Sequence, residues 1–144
     1  MTPPAPGPAP ERGRRASRRS AVFILYQHEV TGIPIEELEE NARREGEGLD
    51  EFALGLVHGV VADRAAIDAD ISAAAKGWTL ERIAPLERSI LRVATHEIRS
   101  SPDVAPAVAI NEAVELAKRY CQADAGAFVN GVLGAVAAAR EAPE

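Results

Sequence analysis

Four arginines near the N-terminus concentrate the chemistry of this sequence. They are Arg14, Arg15, Arg18 and Arg19, and they occupy four of six consecutive positions. Because an α-helix turns by about 100° per residue, these side chains would share an arc of roughly 140°, and Tyr26 would lie in the same arc. Guanidinium groups donate paired hydrogen bonds to phosphate, and a tyrosine ring stacks on a nucleobase. The spacing predicts a basic stripe on the outer surface of a first helix.

The charge distribution indicates a localised site. The chain of 144 residues has 16 basic and 22 acidic side chains, a net charge of −6. Residues 1–20 contain five arginines and one glutamate, a charge of +4, which leaves −10 for the rest. A basic segment on an acidic body favours one site for a polyanion. Mutual repulsion of the arginines favours a segment that orders when an anion binds; the simpler alternative is a solubilising tail that binds nothing.

Patterns typical of catalysis or metal binding do not occur in the sequence. His28, His58 and His96 are far apart, and there is no phosphate-binding loop, dinucleotide glycine motif or serine-nucleophile motif. The single cysteine, Cys121, excludes an internal disulfide and a cysteine-based zinc site. No pair of carboxylates lies in an apolar setting suited to acid–base catalysis. We therefore expect a binding protein with no catalytic residue, metal ion or cofactor.

Hydrophobic periodicity predicts an all-α fold of about seven helices. The proline-rich residues 1–13 are expected to be a disordered tail, and residues 14–140 a single helical domain. Asp50 is the predicted N-cap of a long helical segment that bends near Asp63. On the first helix, the predicted core face is formed by Ala21, Ile24, Leu25 and His28. The short apolar run AVFIL is insufficient for a membrane span, and a lone cysteine fits a reducing compartment, so we expect a cytoplasmic protein without membrane contact.

Three stretches resemble one known family. RRASRRSAVFILYQ resembles the N-terminal helix of the NusB family of bacterial transcription antitermination factors. VAPAVAINEAVELAKRYCQADAGAFVNGVLGAV is similar to the family's C-terminal signature, and GWTLERIAPLERSILRVATHEI to its middle helix. The resemblance spans residues 14–137, and its C-terminal motif is the specific part.

The resemblance implies both a fold and a function. The fold is a NusB-like helical bundle of two packed three-helix subdomains with an extra helix. The function is that of an RNA-binding subunit that recognises boxA-type single-stranded RNA together with a small-subunit ribosomal protein, NusE. NusA, NusG and RNA polymerase complete the complex, which promotes processive transcription of ribosomal RNA operons. The free protein is expected to be a monomer or a homodimer.

The resemblance also implies roles for individual residues. The family's RNA contacts fall on Arg14, Arg15, Arg18, Arg19, Tyr26, Lys118, Asp124, Phe128 and Asn130. Its NusE-facing surface falls partly on Glu87 and Arg92 of the middle helix. Each assignment has a plainer alternative. Phe128 and the valines four and eight positions later form a stripe typical of a core, Asn130 suits close helix packing or a bend, and Glu87 suits the first turn of a helix. Glu112, which has no RNA contact assigned, is expected to have a structural role.

Two other functions fit parts of the pattern. A NusB-like domain also precedes the catalytic domain of certain ribosomal RNA cytosine methyltransferases, which would require a further domain after Glu144. The alternative from a different class is a homodimeric interaction module that hides its arginines. The sequence departs from the family at Phe23, often glutamine, and at Ala16, often arginine, so RNA binding without the partner is expected to be weak.

Overall fold

The computed structural model describes residues 11–47 and 49–141, and within those ranges it contains seven α-helices and no strand. The helices are α1 (Glu11–Thr31), α2 (Ile35–Arg44), α3 (Glu51–Ala62), α4 (Arg64–Ala74), α5 (Pro85–Ser100), α6 (Pro106–Tyr120) and α7 (Ala125–Glu141), with a 3₁₀ turn at Leu80–Arg82. The all-α prediction is confirmed. The first helix begins three residues earlier than predicted, and residues 1–10 of the predicted tail lie outside the described residues. None of the described helices is both long and apolar enough to cross a bilayer.

Local sequence signals set the helix boundaries. The Asp50 carboxylate accepts a hydrogen bond from the backbone N–H of Ala53 at 2.8 Å, the predicted N-cap of α3. Asp63 separates α3 from α4, so the predicted bend is a break between two helices. Gly32 ends α1 with a φ of 76°, which a residue with a Cβ rarely adopts. Pro85 occupies the first turn of α5, where its missing N–H is no loss.

Helix α5 lies at the centre of the bundle. It packs against α1, α3, α4, α6 and α7, and it buries the side chains of Ile90, Leu91, Val93 and Ala94. Helices α1–α3 form one three-helix unit and α5–α7 the other, with α4 as the additional helix against α5 and α7. One apolar cluster runs through both units. The predicted bundle of two packed three-helix subdomains is confirmed, and α1 is placed with one face on the core.

The crossing of α3 and α5 depends on Gly59. A Cβ at this position would overlap three atoms of the His96 imidazole ring, which packs directly on the glycine backbone. Burial lowers the pKa of His96 more than nearby Glu97 and Asp63 raise it, so the ring is neutral at pH 7. We expect Gly59→Ala to lower the free energy of unfolding by about 1–3 kcal/mol, because the ring has to move. Urea unfolding followed by circular dichroism measures the loss.

Gly55 provides the matched control for this substitution. It lies one turn earlier on α3, and nothing lies within 4 Å of a Cβ built there. Gly55→Ala should therefore stabilise the protein by up to about 1 kcal/mol through helix propensity. Equal urea midpoints for the two variants would show that the His96 ring does not rest on Gly59.

Candidate nucleic-acid interface

The predicted basic stripe divides between the interior and the surface. Arg18 is 2% exposed, and its guanidinium donates hydrogen bonds to both carboxylate oxygens of Glu97 at 2.8 and 3.0 Å. Its guanidinium carbon lies 5.4 Å from the centre of the Phe52 ring, and that of half-buried Arg14 lies 4.8 Å from the same ring. The prediction that Arg18 lies on the outer surface is wrong, because α1 turns this side toward α3 and α5. Val22, in the same arc, is also buried.

Carboxylates from the rest of the chain hold the arginine segment in its helix. Arg15 donates from Nε and one terminal nitrogen to the two oxygens of Glu112, at 2.8 and 2.9 Å. The Ser17 hydroxyl donates to Asp50 at 2.5 Å, and Arg18 is paired with Glu97 as described. These acidic groups neutralise part of the repulsion within the stripe. The sequence analysis expected a bound anion to order the arginine segment. In the structure, carboxylates of the protein itself pair with the segment.

The exposed half of the stripe lines a cleft between α1 and α6, which we call the α1–α6 cleft. Its volume is about 290 Å³, and it is lined by Arg15, Arg19, Glu112, Glu115, Leu116, Lys118, Arg119 and Tyr120. Four cations thus meet two carboxylates among the described residues, a local charge of +2. Because the whole chain has a net charge of −6, this cleft is a cationic exception on an acidic protein.

The end of α6 contributes two residues that the sequence analysis missed. Arg119 and Tyr120 follow Lys118 in the last turn of α6, and all three are exposed. The Arg119 guanidinium carbon lies 5.6 Å from the centre of the Tyr120 ring. The stem of Lys118 passes over Gly126, where a Cβ would come within 3.0 Å of it. The signal available in the sequence was the run KRY at a predicted helix end.

An aromatic cluster joins the two helices beside the cleft. The Phe23 ring makes edge-to-face contacts with Tyr120, at 5.1 Å between centroids, and with Tyr26, at 6.5 Å. Tyr26 is half-buried and lies beyond Phe23, outside the α1–α6 cleft. Its predicted stacking surface is therefore displaced from the cations, and Tyr120, 37% exposed, takes the position next to them.

A second depression, here called the aromatic pocket, lies on the other side of Tyr120. It has a volume of about 360 Å³, and its walls include three aromatic rings and two carboxylates: Trp78, Tyr120, Phe128, Glu87 and Asp124. Trp78 is half-exposed and meets the Phe128 ring at 5.6 Å. The structure thus brings Glu87, Asp124 and Phe128 together, and it adds Trp78, which the sequence analysis did not select. Phe128 is only half-buried, whereas the valines four and eight positions later are buried, so the core stripe begins after it.

The surroundings of the aromatic pocket favour the protonated, neutral forms of Glu87 and Cys121. Burial raises the pKa of Glu87, and the nearby carboxylate of Asp124 raises it further. Burial, assisted by the charge of Glu87, raises the pKa of the Cys121 thiol to about 11. The lining also includes one cation, Arg82, so among the described residues two carboxylates and one guanidinium face the pocket, which favours a neutral nucleobase over a phosphate there.

The raised pKa makes Cys121 a testable reporter of the pocket. At pH 7.5 the thiolate fraction should be about 100-fold lower than for a thiol of pKa 9, so iodoacetamide should react far more slowly with the folded protein than with the urea-unfolded chain. The folded-state rate should rise about tenfold per pH unit until the pH approaches 11. Equal rates in the folded and unfolded states would contradict the described environment.

Five predicted residues lie outside both depressions: Arg14, Arg18, Tyr26, Arg92 and Asn130. Arg92 is 5% exposed and donates hydrogen bonds to Asp68, at 2.8 and 3.2 Å, and to Glu29, at 3.2 Å. It therefore links α5 to α4 and α1 in the interior, contrary to the expected exposed contact with a partner. Asn130 is exposed on α7, but it lines neither the α1–α6 cleft nor the aromatic pocket.

Comparison with known proteins decides the family. Residues 15–138 match the model of the NusB family. The chain belongs to the NusB family. The transcription antitermination protein NusB of Rubrobacter xylanophilus is 43% identical over 120 residues, covering 83% of this chain and 86% of the relative. The NusB protein of Geobacillus kaustophilus is 43% identical over 126 residues, covering 88% of this chain and 96% of the relative.

Solved NusB structures share the fold. NusB of T. maritima superposes with a TM-score of 0.77 at 33% identity, covering 87% of this chain and 90% of that one. A structure of antitermination factors NusB and NusE in complex with dsRNA gives a TM-score of 0.76 at 30% identity, covering 89% of this chain and 98% of the matched chain. Membership of the NusB family identifies the chain as a transcription antitermination factor and a non-enzymatic RNA-binding protein.

Proposed function

We propose that this NusB-family chain binds boxA-type single-stranded RNA in ribosomal RNA leaders jointly with NusE. In the cytoplasm the pair would join NusA, NusG and RNA polymerase and promote processive transcription of ribosomal RNA operons. The α1–α6 cleft is the observation that carries the proposal, because it gathers four cations on a protein with a net charge of −6. The relatives named as antitermination proteins support the role in transcription, and the solved complex of NusB and NusE with dsRNA supports RNA binding jointly with NusE.

The two depressions have complementary roles in this proposal. Arg15, Arg19, Lys118 and Arg119 bind successive phosphates in the α1–α6 cleft, since exposed cations at a surface cleft suit a flexible polyanion. Tyr120 lies on the wall shared with the aromatic pocket. Bases turned away from the phosphates stack there, because single-stranded RNA exposes its base faces.

The two carboxylates of the aromatic pocket have separate roles in the same proposal. Asp124 is exposed at the start of α7 and accepts hydrogen bonds from the exocyclic amino group of a base. Glu87, half-buried in the first turn of α5, faces NusE. A strand that binds only through phosphates would not need Asp124, so base edges and stacking provide the discrimination.

The proposal is tested by titrating a boxA-type leader RNA with and without NusE. We expect NusE to tighten RNA binding at least about tenfold, because a joint surface adds contacts that neither protein makes alone. An RNA of the same composition in scrambled order serves as the control and should bind weakly in both cases. Equal affinity for the two RNAs in the presence of NusE would refute the proposal.

Phe128→Ala tests the stacking surface. Because Phe128 is half-exposed, the variant should remain folded and lose about 1–3 kcal/mol of RNA-binding free energy, the contribution of one stacked base. Val30→Ala is the matched control, since Val30 is a 55% exposed apolar residue near the opposite end of α1. Fluorescence anisotropy with labelled RNA gives both affinities, with circular dichroism to confirm folding. Unchanged affinity for Phe128→Ala would remove the aromatic pocket from the RNA path.

A further inference from the structure

Glu112 is a nearly buried carboxylate in the lining of the cationic cleft. It is 3% exposed, on the middle of α6, and its two oxygens accept hydrogen bonds from Nε and a terminal nitrogen of Arg15. The Arg15 side chain nevertheless remains 57% exposed and lines the α1–α6 cleft. One face of the pair is therefore inside the protein and the other faces the cleft.

Two opposite effects on RNA binding follow from such a pair. A negative charge behind Arg15 partly cancels the attraction that Arg15 exerts on a phosphate, so Glu112 would weaken binding. A two-point contact also fixes the plane of a guanidinium on a long flexible side chain, so the conformational entropy is lost on folding and not on binding. The Arg15 side chain is 57% exposed and Glu112 only 3%, so a phosphate in the cleft meets the guanidinium more readily than the carboxylate. The ordering effect therefore outweighs the charge cancellation.

We propose that Glu112 is a positioning residue that sets the orientation of Arg15 for a phosphate of the bound RNA. The inference rests on the proposed function. It also follows from the placement of Glu112 on the same helix as Lys118 and Arg119. The pair between α1 and α6 thus fixes the separation of the two rows of cations across the cleft, so that one strand meets both.

The test compares Glu112→Gln with Glu115→Gln. Each variant removes one negative charge from the same cleft, but Glu115 is 52% exposed and only approaches Lys118, at 4.0 Å. Glutamine at 112 keeps one acceptor and loses the second, so the two-point contact is broken. With NusE present, Glu112→Gln should bind boxA-type RNA about tenfold more weakly, the affinity of one charge-assisted contact. Its log–log salt slope should be shallower by about 0.7.

The control should move in the other direction. Glu115→Gln should bind the RNA as tightly as the unaltered protein or more tightly, because it loses repulsion without losing orientation. If Glu112→Gln binds as tightly as Glu115→Gln, Glu112 either masks Arg15 or has no influence, and the inference is refuted. If the unaltered protein itself fails to bind the RNA with NusE, the proposed function fails instead.

A second variant covers the case in which glutamine prevents folding. Glu112→Asp keeps the charge and shortens the side chain by one methylene, which displaces the Arg15 guanidinium at constant net charge. If Glu112 positions Arg15, Glu112→Asp should bind RNA more weakly than the unaltered protein. Equal RNA affinity for the two proteins would overturn the proposal. In an Arg15→Ala background, Glu112→Asp should have no further effect on RNA affinity, since Glu112 acts through Arg15.

Discussion

Arg18→Ala is expected to lower the free energy of unfolding by about 3–5 kcal/mol, a large share of the stability of a small domain. Arg18 and Glu97 are 2% and 1% exposed, so removing the guanidinium leaves a carboxylate inside the protein without its two charge-assisted hydrogen bonds. Urea unfolding followed by circular dichroism measures the loss. The effect on RNA binding should follow folding alone, because Arg18 does not reach the cleft.

Arg15→Ala is the matched control for this prediction. It removes the same side chain from the same helix and breaks a similar two-point contact, but Arg15 is 57% exposed and water can replace it at Glu112. Its stability loss should be clearly smaller. Replacing both buried partners, Arg18→Met with Glu97→Leu, should recover much of the stability, since no uncompensated charge remains. Equal losses for Arg18→Ala and Arg15→Ala would contradict the burial described for Arg18.

Arg19→Ala combined with Arg119→Ala is expected to weaken RNA binding by about 2–3 kcal/mol at low salt, roughly 30- to 140-fold. The two residues line opposite sides of the α1–α6 cleft, and neither has a carboxylate partner among the ion pairs of the described residues. If each cation contacts one phosphate, the log–log salt slope of about −2.8 for four contacts should become about 1.4 units shallower. Anisotropy titrations at several salt concentrations give the slope.

The control for that variant removes the same charge elsewhere. Arg43 and Arg44 are exposed in the last turn of α2 and lie outside the cleft. Arg43→Ala with Arg44→Ala should reduce RNA affinity only slightly, through the change in net charge. Similar losses for the two double variants would mean that RNA responds to total charge and not to the α1–α6 cleft.

Local patterns predicted most of the secondary structure. The cap at Asp50 and the start of α5 at Pro85 are encoded within a few residues of the boundary, whereas at Asp63 a bend was predicted and the structure has a break between two helices. Three members of the predicted core face of α1, Ala21, Ile24 and Leu25, are buried, whereas the fourth, His28, is only half-buried. The early start of α1 was missed because its proline-rich neighbourhood concealed the first turn.

The division of the arginines was not predictable in the same way. A helical wheel gives angles around one helix, but the partner that faces each angle is set by packing against distant segments. Glu97 is 79 positions from Arg18, and Glu112 is 97 positions from Arg15. The apolar side chain of Val22, one turn after Arg18, was the available hint that this side of the stripe faces the core, and Val22 is indeed buried. Trp78 and Tyr120 join one pocket only after α5, α6 and α7 pack together.

The path of the RNA through the α1–α6 cleft is tested most directly by photo-crosslinking. A boxA-type RNA containing 4-thiouridine is bound with NusE, irradiated and digested, and the crosslinked peptides are identified by mass spectrometry. We predict crosslinks in the segments 14–19 and 118–128, which hold the cations of the cleft and the rings beside it. Crosslinks confined to α2 and α3, with none in α1 or at the end of α6, would contradict the placement of the RNA in this cleft.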